Sequence, residues 1–168
     1  VMRDIPSTEV DAGPQLTNMR QMALQELWEN GERSRNIRAR EVGHVKRNHD
    51  LEPQEENIEL VERDYEASGG HEYFASFEDT GNDIILGFSR LRTTPESFRP
   101  EIDEDTLIVR QLKVMGSATD IGAEADDTQH KGYGSKLMEN AEAKARELGK
   151  EKVVVISAVG TREYYRKM

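Results

Sequence analysis

The feature that most constrains this chain is a glycine-containing run at residues 129–134, placed just before an amphipathic helical pattern. The run reads Gln-His-Lys-Gly-Tyr-Gly. Its two glycines allow a tight turn in which the backbone can approach a ligand closely, because no Cβ is in the way. A helix that begins in this turn directs its first N–H groups and the positive end of its dipole toward the same space. The sequence therefore predicts a phosphate-binding turn here.

The segments around this turn predict an α+β (mixed α/β) architecture. Alternating apolar and charged residues predict strands at 58–67, 71–78, 84–92 and 106–115, joined by turns typical of antiparallel hairpins. After the turn, apolar residues recur at helical spacing up to Gly149, and the apolar run at 153–156 predicts a buried strand. Helices are also predicted at 19–29 and from residue 161, and an extended segment at 35–45.

Composition excludes several classes of protein. The 168 residues contain no cysteine, which excludes disulfides, thiolate catalysis and cysteine-ligated metals in this chain. The four histidines lack a ligand spacing, so no metal site is predicted. No segment approaches the roughly 18 apolar residues of a membrane span. We therefore expect no membrane partner and a cytoplasmic location. The abrupt first and last segments suggest a fragment of a longer protein.

Charge is distributed unevenly along the chain. The overall net charge is −10, but the segment from residue 31 to 49 carries +4. Such a basic island is either a binding patch or a solvated face, and composition alone favours the solvated face. Its basic residues are Arg33, Arg35, Arg38, Arg40, Lys46 and Arg47.

The glycine run resembles the turn with which GNAT-type acetyltransferases hold the pyrophosphate of acetyl-CoA. The preceding strand, the helix and the following strand occur in the order of that family. The resemblance implies a GNAT acyl-CoA N-acyltransferase fold, with a mostly antiparallel sheet flanked by helices. It implies acetyl-CoA binding by two sets of residues. The first set is Gln129, His130, Lys131, Gly132, Tyr133, Gly134 and Ser135. The second set, on a strand that splays and pairs with the pantetheine, is Gln111, Leu112, Lys113 and Val114.

Two alternatives stay open at this point. The strand that contains Gln111 is equally compatible with an ordinary buried strand. Tyr164 and Tyr165 could protonate the departing CoA thiolate, but their spacing also fits a helix packed onto the sheet.

A wider set of segments resembles the C-terminal acetyltransferase domain of an archaeal Elongator catalytic subunit, in the tRNA uridine acetyltransferase (carboxymethyluridine synthase) family. The resemblance covers essentially the whole chain. It rests on residues 3–6, 17–21, 37–43, 110–112, 129–134, 155–160 and 164–167.

This second resemblance implies a function. Residues 1–54 would form a helix and basic linker leading from a radical-SAM domain of the same polypeptide, and residues 55–168 a C-terminally truncated GNAT domain. The full-length enzyme would use S-adenosylmethionine and a 4Fe–4S cluster, and would modify carbon 5 of the wobble uridine of tRNA. Acetyl-CoA would be hydrolysed to supply the acetyl unit. The basic residues of the island would contact tRNA, and Tyr164 and Tyr165 would act at the acetyl-CoA site.

The chain departs from this family at Ser34, Asn36 and Ala39, where many members carry cysteine, so a metal role for this linker is not expected. Two other functions remain as alternatives. One is a protein or small-molecule N-acetyltransferase, for which only Glu72 and His71 suggest themselves as a general base. The other is a tRNA-binding module with a vestigial acetyl-CoA pocket.

Overall fold

The computed structural model describes residues 18–116 and 132–167. The chain divides into two compact units, Val1–Arg40 and Glu41–Met168. The first unit contains α1 (Met19–Glu29) and the short α2 (Ile37–Arg40). The predicted first helix is confirmed, and it ends at Asn30 and Gly31, where Gly31 adopts a positive φ of 75°. The domain boundary predicted at residue 54 stays a prediction.

The second unit begins with α3 (Val42–His49), so the extended segment predicted at 35–45 is wrong. The side-chain oxygen of Asn36 accepts the N–H of Arg38 at 2.9 Å and starts α2. Val42 and Val45, one helical turn apart, are both buried. Glu41, between the two helices, is extended. Two short helices, broken at one residue, therefore take the place of the predicted extended segment.

A five-stranded sheet follows, in the order β1-β2-β3-β4-β5. The first four strands are antiparallel neighbours, and β5 pairs with β4 in parallel. The strands are β1 (Ile58–Ala67), β2 (Gly70–Asp79), β3 (Ile84–Thr93), β4 (Thr106–Val114) and β5 (Lys152–Val155). The predicted strands are confirmed to within a residue or so at each end.

The turn between β2 and β3 is organised by the buried carboxylate of Asp79. It accepts the backbone N–H of Gln54 at 2.8 Å and those of Gly81 and Asn82 at 3.0 Å. Burial opposes ionisation of this group, but the donated N–H bonds outweigh it and hold the pKa of Asp79 below its ordinary value. The turn is therefore fixed by a charged acceptor.

One long helix, α4 (Tyr133–Glu147), packs on the sheet, and the short α5 (Arg162–Lys167) ends the described chain. The core between α4 and the sheet is apolar, and Tyr165 packs at its margin. Its buried members are Leu91, Leu107, Val109, Met138, Ala141 and Ala145. None of the helices in the described ranges is long and apolar enough to cross a membrane.

Candidate functional site

Strands β4 and β5 separate about half-way along β4. Their pairing runs from Thr106 opposite Lys152 to Val109 opposite Val155, and its last hydrogen bond joins the Ile156 N–H to the Val109 carbonyl at 3.0 Å. Beyond Val109, β4 continues beside β3 only. Within the described ranges no strand pairs with the other edge of residues 110–114. The sheet is therefore forked on this side.

A β-bulge lies where the fork opens. Val109 is opposite Leu91 and Gln111 is opposite Arg90, so Arg110 is an extra residue in β4. Beyond the bulge, the Met115 N–H donates to the Leu86 carbonyl at 2.7 Å. Hydrogen-bonded and non-hydrogen-bonded pairs alternate in an antiparallel ladder.

The N–H and C=O groups of Leu112 and Val114 must therefore point away from β3, into the fork. This is the geometry that pairing with a pantetheine chain requires. In the described ranges residues 111–114 are exposed or half-buried, and their part in binding pantetheine stays a prediction.

The start of α4 borders the same fork. Gly132 precedes the helix in the left-handed conformation (φ 70°, ψ 18°), and the first intrahelical bond runs from the Lys136 N–H to its carbonyl at 3.0 Å. The N–H groups of Gly134 and Ser135 lie in the first turn, where an α-helix supplies no acceptor. Tyr133 is buried, and its ring centroid lies 4.9 Å from that of Phe77. Tyr133 thus anchors the helix, and its side chain is directed into the protein.

Gln129, His130 and Lys131 fall outside the described residues. Their predicted part in binding stays a prediction.

Gly134 is the point at which the predicted segments converge. A Cβ built on Gly134 would lie 2.5 Å from the Tyr164 hydroxyl oxygen and 3.7 Å from Cγ2 of Val114. The end of β4, the first turn of α4 and the Tyr164 hydroxyl therefore share one small volume. Only a glycine fits at residue 134 without moving the tyrosine.

The two tyrosines of α5 have different environments. Tyr164 is 48% exposed. Tyr165 is half-buried against the core, and burial, together with the neighbouring Tyr164, raises its pKa above the ordinary value. Their rings meet edge to face at 5.3 Å between centroids. Tyr164 thus presents its hydroxyl at the fork, whereas Tyr165 supports the helix.

The predicted basic residues fall in both compact units. Arg38, in the first unit, and Arg47, in the second, are exposed. The Arg33 guanidinium lies 3.4 Å above the Trp28 ring centroid. Arg40 is only 6% exposed, which does not suit direct contact with a phosphate.

The remaining basic residues are also solvent-facing. Arg35 is exposed, and Lys46 is exposed and paired with Glu52 at 2.8 Å.

Neither suggested general base fits the fork. The Glu72 carboxylate is buried and ion-paired with Arg92 and Arg110. The two ring nitrogens of His71 are engaged by carboxylate oxygens, Nδ1 by Glu66 at 2.6 Å and Nε2 by Asp64 at 2.9 Å. It also lies six residues from Phe77 along β2, which is about 20 Å of extended strand. The amine-acceptor alternative therefore gains no base from these residues.

The bulge at Arg110 and the close approach at Gly87 escaped sequence reasoning. A Cβ on Gly87 would lie 3.1 Å from the Lys113 carbonyl oxygen, so the glycine lets β3 and β4 meet under α4. A lone glycine within a strand pattern is the signal that could have marked it. An arginine at a bulge has no comparable signature.

Comparison with known proteins agrees with this geometry. The profile of the acetyltransferase (GNAT) family matches residues 44–168. The chain belongs to the GNAT acetyltransferase family. A solved structure titled as the archaeal Methanocaldococcus infernus Elp3 with an N-terminal deletion superposes with a TM-score of 0.85 at 46% identity. That match covers 99% of this chain and 40% of the solved one.

Two named relatives show the same pattern of similarity. The "tRNA uridine(34) acetyltransferase" of Methanocaldococcus infernus is 46% identical over 100% of this chain and 32% of its own length. The "Elongator complex protein 3" of Homo sapiens is 45% identical over 100% of this chain and 31% of its own length. The chain thus spans about a third of the length of these relatives.

Proposed function

We propose that this GNAT chain is the acetyl-CoA-binding domain of an enzyme that modifies carbon 5 of the wobble uridine of tRNA. The observation that carries the proposal is the convergence of the open β4 edge, the start of α4 and the Tyr164 hydroxyl around Gly134. The names of the relatives supply the acceptor, which the geometry of the fork alone does not identify.

Acetyl-CoA would lie across the fork. The pantetheine amides would bond to the N–H and C=O groups of Leu112 and Val114, as an added strand does at a sheet edge. The pyrophosphate would accept N–H bonds from the first turn of α4, including Gly134 and Ser135, at the positive end of the helix dipole. The absence of a Cβ at Gly134 lets the Tyr164 hydroxyl lie against this turn.

The chemistry assigned to this domain is hydrolysis of the thioester. Water adds to the thioester carbonyl, the C–S bond breaks, and the CoA thiolate leaves with acetate as the other product. The Tyr164 hydroxyl would donate the proton that the departing thiolate takes, and would recover a proton from solvent. Tyr165, whose pKa is raised, would remain a neutral packing residue beside it.

The radical half of the reaction would lie outside this chain. No cysteine occurs among its 168 residues, so these residues offer no thiolate ligand for an iron–sulfur cluster. A radical-SAM domain of the same polypeptide would hold S-adenosylmethionine and the 4Fe–4S cluster.

The exposed arginines would supply contacts to tRNA phosphates. Such contacts add affinity that falls with salt and carry no sequence information. Replacing Arg38 and Arg47 together by alanine should weaken tRNA binding and reduce the slope of log affinity against log salt by about 2. Glu32→Ala, in the same stretch of sequence, serves as the control. An unchanged slope in the double variant would remove these residues from the interface.

The deciding experiment measures hydrolysis of acetyl-CoA by the full-length protein, with and without tRNA. We expect turnover only when tRNA is present. Turnover stimulated by lysine peptides and not by tRNA would instead identify an N-acetyltransferase. A protein that binds tRNA but shows no calorimetric binding of acetyl-CoA would have a vestigial pocket.

A further inference from the structure

A buried carboxylate lies on the sheet face opposite α4. The Glu72 side chain is 4% exposed, and its Oε1 accepts a hydrogen bond from Arg92 Nη1 at 2.7 Å and another from Arg110 Nη1. Arg92 also donates to the carbonyls of Ala67 and Ser68 at 2.9 and 2.8 Å, which fixes it to the β1–β2 turn. Arg92 therefore fixes the position of the Glu72 carboxylate, and this carboxylate in turn binds the Arg110 guanidinium.

Arg110 is the residue that makes the bulge in β4. Glu72 lies on β2, opposite Arg92 of β3, and Arg92 lies opposite Ile108 of β4. The Glu72–Arg110 pair thus reaches from β2 across β3 to β4. It ties the extra residue of the bulge to a strand that is not its neighbour.

The bulge decides which backbone groups face the fork. Side chains and backbone groups alternate along a strand, so one extra residue inverts both patterns beyond it. Val109 and Leu112 both pack toward α4 although they are three residues apart. Without the extra residue, Gln111 and Lys113 would direct their amides into the fork, and Leu112 would leave the core.

We infer that Glu72 is a positioning residue for acetyl-CoA, because through Arg110 it holds the bulge that presents the Leu112 and Val114 amides to the pantetheine. The inference rests on the proposed function. Glu72 itself touches no substrate, since it lies on the face of the sheet opposite α4.

A second buried pair on the same strand provides a matched control. The Glu78 side chain is also 4% exposed, and its Oε1 accepts from Arg63 Nη1 at 2.8 Å. Arg63 belongs to β1, so this pair joins β2 to the strand next to it, away from β4. Loss of either pair removes a similar buried ionic contact, but only the Glu72 pair reaches the bulge in β4; Glu78 lies at a separate register shift between β2 and β3.

The experiment measures two affinities by calorimetry on the full-length protein. The ligands are acetyl-CoA and 3′-phospho-ADP, which retains the pyrophosphate and lacks the pantetheine. We expect Glu72→Gln and Arg110→Met each to weaken the binding of acetyl-CoA about tenfold, which corresponds to the loss of about one good hydrogen bond. Binding of 3′-phospho-ADP should not change. Glu78→Gln and Arg63→Met should leave both affinities unchanged.

Three further readouts separate positioning from general stability. The double variant Glu72→Gln/Arg110→Met should be no weaker than either single one, because the two residues act through one contact. Arg110→Lys should recover part of the affinity. Amide hydrogen exchange of Gln111 and Lys113, which face β3, should accelerate in Glu72→Gln and not in Glu78→Gln.

Several results would overturn the inference. One is an equal loss of affinity for both ligands. Another is the same loss of acetyl-CoA affinity in Glu78→Gln or Arg63→Met. The third is an unchanged acetyl-CoA affinity in Glu72→Gln and Arg110→Met. If Glu72→Gln does not fold, the more exposed Arg110 variants decide. A wild type that binds no acetyl-CoA refutes the proposed function and this inference with it, whereas a wild type that binds normally beside unaffected variants refutes the inference alone.

Discussion

The two edges of the sheet are built in opposite ways. The β1 edge is a full-length strand that pairs with β2 over all ten residues and carries mostly exposed, charged side chains. On the other side, β5 pairs with β4 over four residues and consists of one lysine and three valines, all half-buried, followed by the exposed Ile156 and Val159. Charge guards a strand edge against association with other chains. Within the part of the chain that the structure describes, both sides of the sheet carry unpaired backbone groups. The comparison teaches that those of β1 are flanked by charged side chains, whereas those of β4 beyond Val109 are bordered by Gly134 and Tyr164.

The largest effect should come from the hydroxyl at the fork. Tyr164→Phe removes the proposed proton donor, and general acid catalysis is worth about 100-fold or more. We therefore expect tRNA-dependent hydrolysis of acetyl-CoA to fall by at least about 100-fold, with acetyl-CoA affinity retained. Tyr165→Phe keeps the packing and should leave turnover close to that of the wild type. Equal losses in the two variants would contradict the distinction between the tyrosines.

A smaller loss is expected when the fork is narrowed. Gly134→Ala places a Cβ 2.5 Å from the Tyr164 hydroxyl oxygen, so the tyrosine must move by about 1 Å. A displacement of this size should lower turnover by about tenfold to 100-fold. Gly43→Ala, in α3, is the control, because its Cβ would meet no atom within 4 Å. Unchanged turnover in Gly134→Ala would separate this glycine from the site.

Substitutions at the charged β1 edge should change the self-association of the protein and leave ligand binding unchanged. Replacing Glu59 and Glu62 by threonine removes two negative charges from β1 and raises its strand propensity. We expect sedimentation velocity to show self-association of this double variant, while calorimetry shows unchanged affinity for acetyl-CoA. A variant that stays monomeric would mean that these charges do not guard the edge.

The smallest effect is expected at His71, which lies opposite the end of β1, and it is a change of stability with pH. Hydrogen bonds that the His71 ring donates to Glu66, and then to Asp64, raise the pKa of His71 above its ordinary value, because both carboxylates favour the imidazolium. A raised pKa in the folded state means that the stabilisation is complete below the unfolded value and is lost as pH rises through the folded value.

His71→Gln should therefore melt at a lower temperature than the wild type below about pH 6, and at the same temperature at about pH 9. A difference in melting temperature that does not depend on pH would show that protonation of His71 is not its cause.

Much of the fold could be predicted from the sequence. The strands and α4 repeat apolar residues at periods of two and of three to four, and these patterns follow directly from which face is buried. The extended segment predicted at 35–45 is wrong because two helices of one or two turns, interrupted at Glu41, space their apolar residues too irregularly to show a helical period.

Less of the candidate site could be predicted from the sequence. The glycines and the tyrosine pair indicated which segments meet, but not the different environments of Tyr164 and Tyr165. That difference arises from how α5 lies against the core, which is a tertiary property. The bulge at Arg110 and the ion pair between Arg110 and Glu72 depend on pairing between strands that are far apart in sequence. No local sequence pattern therefore predicts them.

The central claim is that the β4 edge beyond Val109 binds the pantetheine of acetyl-CoA. The most direct test is residue-resolved amide hydrogen exchange of the full-length protein with and without acetyl-CoA. We predict that Leu112 and Val114 become protected when the ligand is present, while Gln111 and Lys113, already bonded to β3, change little. Protection of the β1 amides instead, or no change at Leu112 and Val114 under saturating acetyl-CoA, would contradict the account.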